Sequence, residues 1–216
     1  MAFAYANEPE DKAMSGPFSM VGDPVGAPGL FAVAIGFGAF LVALIPACVR
    51  RGSREGETTA KRSRASVVGI ATQGLAIGFV SVGTQRATLD PLSATALSEA
   101  VAVALLMAAT VGLFVWASWT MGRNWSLVAR TRSDHALVTA GPFAWVRHPI
   151  YTAMFLMMIA LAIGLGHVAR LEVAIPLYAL GTAIRVRIEE RLLRNAFGAA
   201  YNEYATRVKR FIPGVL

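Results

Sequence analysis

Four side chains in this chain combine reactive chemistry with an unusual place: His148, Arg185, Glu189 and Glu190. His148-Pro149 opens a long apolar run. Proline suits the first turn of a helix, where its missing N–H costs nothing. His148 then sits at the helix N-terminus, beside unpaired N–H groups that favour an anion. A cofactor carboxylate or phosphate fits there, and so does a histidine that merely caps the helix at an interface. Arg185 and Glu189 are spaced i, i+4, so they share one helical face. An ordinary helix ion pair satisfies that spacing. A second use is open to each: the planar fork of arginine suits a carboxylate or phosphate, and a glutamate suits an ammonium or sulfonium. Arg187, Glu190 and Arg191 crowd the same turns, directly after an apolar stretch. So dense a charged segment beside a hydrophobic span needs water, partners or ligands.

Two further features bear on ligands. Asp134-His135 leads into Ala136-Leu137-Val138. Main-chain groups beside a short apolar run suit the edge of an adenine, and equally an interfacial loop. A metal centre is not expected: His135, His148 and His167 lack ligand spacing, and Cys48 is the sole cysteine, which also excludes an intrachain disulfide. There is no glycine-rich phosphate loop; Gly36 and Gly38 fall within an apolar span and suit helix packing.

Composition names the scaffold that must hold these groups. The chain has 216 residues, 56% hydrophobic and 15% charged, against about 25% charge in a soluble domain. The apolar residues come in long blocks, the pattern of an all-α polytopic membrane protein. Residues 29–216 read as one domain, behind a polar, Gly- and Pro-rich tail at 1–28 that lacks the basic start and apolar core of a signal peptide. Five spans are expected, at 30–49, 67–83, 100–121, 150–168, and from Leu171 past Ile184. The charge-free core of the fifth, Val173 to Ile184, is 12 residues. That is about 18 Å of helix, too short for a hydrocarbon core of about 30 Å. The helix therefore continues through Arg185 and Glu189, or it meets a thinned, wet region. Either way those side chains lie near membrane depth. Leu192, Leu193, Ala196, Phe197, Ala200, Tyr201, Tyr204 and Val208 then recur at helical spacing. They predict an amphipathic helix on the membrane or over the site, interrupted at Gly198 and ended by Pro213. No strand alternation of useful length is present.

Charge sets the orientation. Segments 50–64, 123–147 and 185–210 hold 6, 4 and 7 of the 20 Lys and Arg residues. Positive-inside bias accounts for this without invoking nucleic acid. Five spans with a cytoplasmic 50–66 loop put the N-terminus outside and bring 122–149 and 186–216 together on the cytoplasmic face. Trp116, Trp119, Trp125 and Trp145 flank that face as interfacial anchors. Small size and short loops lean towards a prokaryotic inner membrane.

The run Leu-Val-Thr-x-Gly-x-Phe-Ala-Trp-x-Arg-His-Pro-x-Tyr at 137–151, followed by Glu-Glu-x-x-Leu at 189–193 and Phe-Gly-x-x-Tyr-x-x-Tyr at 197–204, resembles the isoprenylcysteine carboxyl methyltransferase family and the wider membrane phospholipid and thiol methyltransferases. The resemblance covers residues 120–213. It implies a transmembrane bundle with a cytosolic pocket for S-adenosylmethionine. By position, His135, Ala136, Leu137 and Val138 would line the adenosine, with Phe143 where the family often has tyrosine. His148, Pro149, Ile150 and Tyr151 would wrap the cofactor and Glu189 would hold its polar end. Arg185 would position the acceptor carboxylate. A family glutamine has no clear counterpart, Arg130 being the nearest residue, and Ala153 replaces a common glycine. The acceptor implied is a lipid-like or prenylcysteine-like carboxylate. It is already ionised at neutral pH, so no base is needed. A phospholipid amine or a thiol would need deprotonation, with Glu190 or His148 assisting. Membrane sterol or enone reductases that use NADPH share a similar His-Pro-x-Tyr element, but with asparagine where this chain has Ile150.

Overall fold

The computed structural model describes residues 16–52, 64–122 and 137–214, and these are mostly helical. Helices α1 (Ala27–Gly52), α2 (Arg64–Ser81), α3 (Ala94–Met121), α4 (Pro149–Gly164) and α5 (Leu171–Phe197) fall on the five expected apolar stretches. A short α6 (Ala199–Arg207) follows. His135, Ala136 and Arg130 lie outside the described residues.

Length divides these helices. Within α1 and α3, Ala27–Val49 and Ala94–Met121 are long and apolar enough to cross a membrane. The 16 residues of α4 span only about 24 Å, and the apolar part of α2, Ser66–Ser81, is equally short. All five expected stretches are helical, but they are not alike in spanning length. Among the described residues, two helices meet that standard; of the shorter ones, α4 packs against α3 and α2 against α5. The apolar belt faces outward: Phe31, Ile35, Leu75 and Leu105 are each about two-thirds exposed or more. A surface of this kind is unfavourable in water and marks a membrane protein.

Each helix buries its other face. α3 lies between α1 and α4, and α2 runs along α5. Phe40 of α1 meets Phe114 of α3 edge-on, with ring centroids 5.0 Å apart. Met157, Met158 and Leu161 carry α4 into the same core. The α2–α5 crossing is close because Gly69 and Gly181 meet there. A Cβ on Gly181 would lie 2.9 Å from Gln73 N and 2.9 Å from Gly69 O, and backbone cannot give way cheaply. Gly181→Ala is expected to destabilise the protein by about 1–3 kcal/mol, read as earlier thermal unfolding in detergent. Gly38→Ala, which meets nothing within 4 Å, is the control.

Helix α5 resolves the choice left open by span length. It runs unbroken from Leu171 through Arg185 and Glu189 to Phe197. Gly198 then takes φ +51 and turns the chain into α6. The helix after the break is shorter than expected, ending at Arg207 rather than at Pro213.

The end remote from Arg185 holds a feature the sequence did not signal. Strands β1 (Val21–Gly26) and β2 (Thr84–Leu89) pair in parallel, Val21 with Thr84 and Pro24 with Arg86. β1 lies inside the stretch that composition assigns to a tail, and its Val25 is buried. Arg170, also buried, seals this end. Its guanidinium donates to Phe79 O at 2.8 Å and to Val82 O, carbonyls at the C-terminal end of α2, and to Ser19 O before β1. His167 Nδ1 donates to Val80 O at 2.9 Å.

Candidate active site

The site begins with a tight turn. Gly141 takes φ +59 and opens a 3-10 turn over Gly141–Ala144. A Cβ there would lie 2.7 Å from Thr120 Oγ1, so the turn tucks under the end of α3 only because the residue is glycine. Phe143 is buried by the turn, and its carbonyl accepts the Tyr204 hydroxyl at 2.7 Å. Burial pushes Tyr204 up to about 12, which keeps that hydroxyl a donor. Leu137 and Val138 approach the turn as half-buried main chain outside any helix.

The turn delivers His148 to the start of α4. Pro149 takes the first helical position, and the His148 side chain makes no capping hydrogen bond. The ring instead lies between two carboxylates. Nδ1 is 3.7 Å from Glu189 Oε2, and Nε2 is 3.5 Å from Glu190 Oε1. The Tyr151 ring stacks against it at 5.6 Å and 23°. Ile150 is half-buried against the helical core.

The two adjacent glutamates have different surroundings, because successive helical residues point about 100° apart. Glu189 remains 23% exposed. It accepts from the Tyr151 hydroxyl and pairs with Arg185 Nη2 at 3.3 Å. Glu190 is 2% exposed and ringed by cations. Arg210 grips it with both prongs, Nε to Oε1 and Nη2 to Oε2, each 2.9 Å. Arg194 Nη2 approaches at 3.2 Å and Arg147 Nη2 at 3.4 Å.

Arg185 is held from several sides. Its guanidinium carbon lies 4.9 Å from the Tyr151 ring centroid, a cation–π distance. Nη1 is 3.5 Å from Gln73 Oε1 on α2, and Gln73 Nε2 donates to Thr182 Oγ1 at 2.7 Å. Tyr178 donates to the Tyr151 carbonyl at 2.7 Å.

The structure thus gathers His148, Tyr151, Arg185, Glu189 and Glu190, while Leu137, Val138 and Phe143 stand along the adjoining turn. Sequence reasoning did not find Arg210, Arg147 or Tyr204 as part of this assembly, and it does not mark Gln73 as more than a polar residue in a short span. Arg147 sits inside a recognisable motif. Arg210 carries no local signal, because its partner is 20 positions away around a turn.

Comparison with known proteins supplies the context. Residues 100–195 match the model of the isoprenylcysteine carboxyl methyltransferase family. The chain is similar to the cobalt-zinc-cadmium resistance protein CzcN of Cupriavidus metallidurans, 33% identical over 105 residues, which are 48% of each chain. It is also similar to protein-S-isoprenylcysteine O-methyltransferases. The Saccharomyces cerevisiae protein is 34% identical over 96 residues, 44% of this chain and 40% of the relative. The Tribolium castaneum protein is 36% identical over 100 residues, 44% of this chain and 34% of the relative. The matched stretch spans half or less of the length of these relatives.

Proposed function

We propose, from the match of residues 100–195 to the isoprenylcysteine carboxyl methyltransferase family, that this protein is an S-adenosylmethionine-dependent integral membrane methyltransferase acting on a lipophilic carboxylate. The observation that carries the proposal is the meeting of His148 and Tyr151 with Glu189, beside Arg185, near the end of the apolar part of α5.

The residues present fit the cofactor. Glu189 is a partly exposed carboxylate with lone pairs to spare, a suitable partner for the cationic end of the ligand. Leu137 and Val138, with His135 and Ala136 before them, would line the adenosine, and Phe143 and His148 to Tyr151 would close around it. When bound, S-adenosylmethionine supplies an electrophilic methyl group on a sulfonium.

The chain's own residues then have simple tasks. Arg185 presents its fork to the acceptor carboxylate, which is ionised at neutral pH. Tyr151, Glu189 and Gln73 hold Arg185 in place, so orientation is set before the acceptor arrives. The apolar helix faces exclude water from the reacting carboxylate. Glu190 serves as counter-charge to Arg147, Arg194 and Arg210. With both oxygens held by guanidinium groups, it is poorly placed to act as a base. That removes one of the two groups that could take a proton from an amine or thiol, and a carboxylate acceptor needs neither. A prenylated cysteine, the acceptor class in the names of the eukaryotic relatives, meets both requirements: a lipid tail and a carboxylate. On this reading the site end is cytoplasmic and the membrane a prokaryotic inner membrane.

Calorimetry on the purified protein in detergent tests the cofactor. S-adenosylmethionine and its demethylated product should bind, and NADPH should not compete. Tight NADPH binding with no response to the sulfonium would overturn the proposal. Glu189→Gln, which keeps the shape and loses the charge, should weaken cofactor binding about tenfold, as expected for a hydrogen bond to a charged group.

A further inference from the structure

We propose that the C-terminal segment 208–211 is a strap that sets the position of the His148 turn, with Arg210 as its positioning residue; this rests on the methyltransferase reading of that turn. Three successive carbonyls of the strap face the start of α4. Lys209 O accepts from Arg147 N at 2.8 Å and Arg210 O from His148 N at 3.0 Å. Phe211 O accepts from Thr152 Oγ1 at 3.4 Å. Val146 and Lys209 form a parallel bridge. The Phe211 ring lies 5.9 Å from the His148 ring.

These contacts fall on the two N–H groups between the 3-10 turn and α4, which neither element satisfies from within. Arg147 N and His148 N precede the helix, so no α4 carbonyl can accept from them, and buried N–H groups are almost always paired. The strap provides those acceptors, and Arg210 anchors the strap. Its bidentate grip on Glu190 ties residues 208–211 to α5, while its own carbonyl holds His148. One residue therefore links the turn that carries His148 to the helix that carries Glu189. Beside the direct Arg147–Glu190 and Tyr151–Glu189 pairs, it adds a link that sets the distance between His148 and Glu189, across which the cofactor would be held. The strap lies beyond residue 195, where the family match ends.

Loosening the strap should weaken the cofactor and spare the acceptor. Arg210 is 46% exposed, so Arg210→Gln gives up the fork with little loss of packing. In Arg210→Gln the Kd for S-adenosylhomocysteine should rise tenfold or more. At saturating cofactor, kcat and the KM for a prenylcysteine acceptor should stay within twofold of the wild type. Arg210→Lys, which keeps the charge and loses the fork, should give an intermediate Kd. Arg194→Gln removes a cation that touches the same carboxylate from within α5 but lies off the strap, and its Kd should change less than twofold. An unchanged Kd in Arg210→Gln or Arg210→Lys overturns the strap, and so does an equal loss in Arg194→Gln, which would make charge alone the cause. A wild-type protein that binds no S-adenosylhomocysteine overturns the methyltransferase reading, and the strap with it.

Discussion

Arg185→Ala is expected to lower kcat/KM for a carboxylate acceptor by about 10²–10³-fold while leaving cofactor affinity within about threefold. The magnitude follows from losing one partner of a sheltered, charge-assisted contact, about 3–4 kcal/mol, at 1.4 kcal/mol per factor of ten. The guanidinium is 12% exposed and lies over Tyr151, so water cannot replace it well. Cofactor binding survives because Glu189 keeps the Tyr151 hydroxyl and the neighbouring His148 ring. Arg185→Lys retains the charge but not the fork, and should recover part of the rate. Methyl transfer from radiolabelled S-adenosylmethionine, with calorimetric binding measured in parallel, separates the two effects. Unchanged turnover in Arg185→Ala would remove this residue from the acceptor site.

Glu190→Ala should be the most damaging change to folding, costing about 3–5 kcal/mol. Its carboxylate is the common partner of Arg147, Arg194 and Arg210. Arg194 and Arg210 are about half exposed and can return to water. Arg147 is only 9% exposed and has no such escape, so its charge would remain sheltered and unpaired. Glu190→Gln should cost less than alanine because the amide oxygen still accepts a hydrogen bond. The contrast is Arg207→Ala, at an exposed pair with Glu203, where a loss under about 1 kcal/mol is expected. Thermal unfolding in detergent reports all three variants. A Glu190→Ala protein as stable as the wild type would show that the cluster carries no net stabilisation.

Several elements are legible in the order of amino acids alone. Helices α1 to α5 lie where apolar run lengths put them, because burying backbone in a membrane or a tight helical core demands long uncharged stretches. Pro149 announces the start of α4, since proline tolerates only the first turn. The pairing of Arg185 with Glu189 follows from i, i+4 spacing alone. The helix lengths are less regular than the hydropathy suggests. The parallel pair β1–β2 leaves no such trace, because Val21–Gly26 contains Pro and two glycines and shows no alternation. Its pairing is decided by β2, which lies more than 50 positions further along the chain.

The amino-acid sequence by itself determined which residues carry charge beside an apolar span, and on which helical face each one lies. Helical periodicity is a property of one segment and its own axis, so it can be read locally. What stands opposite a face is set by packing between distant segments, and only the tertiary structure decided that. It separated two adjacent glutamates into a half-open carboxylate beside Arg185 and a buried counter-charge. It brought Gln73 from α2 to Arg185 across a glycine crossing, and it folded Arg210 back through the Gly198 turn onto both Glu190 and His148. The reason is physical: the energy of a buried charge depends on every partner within a few ångströms, and those partners come from four separate stretches of the chain.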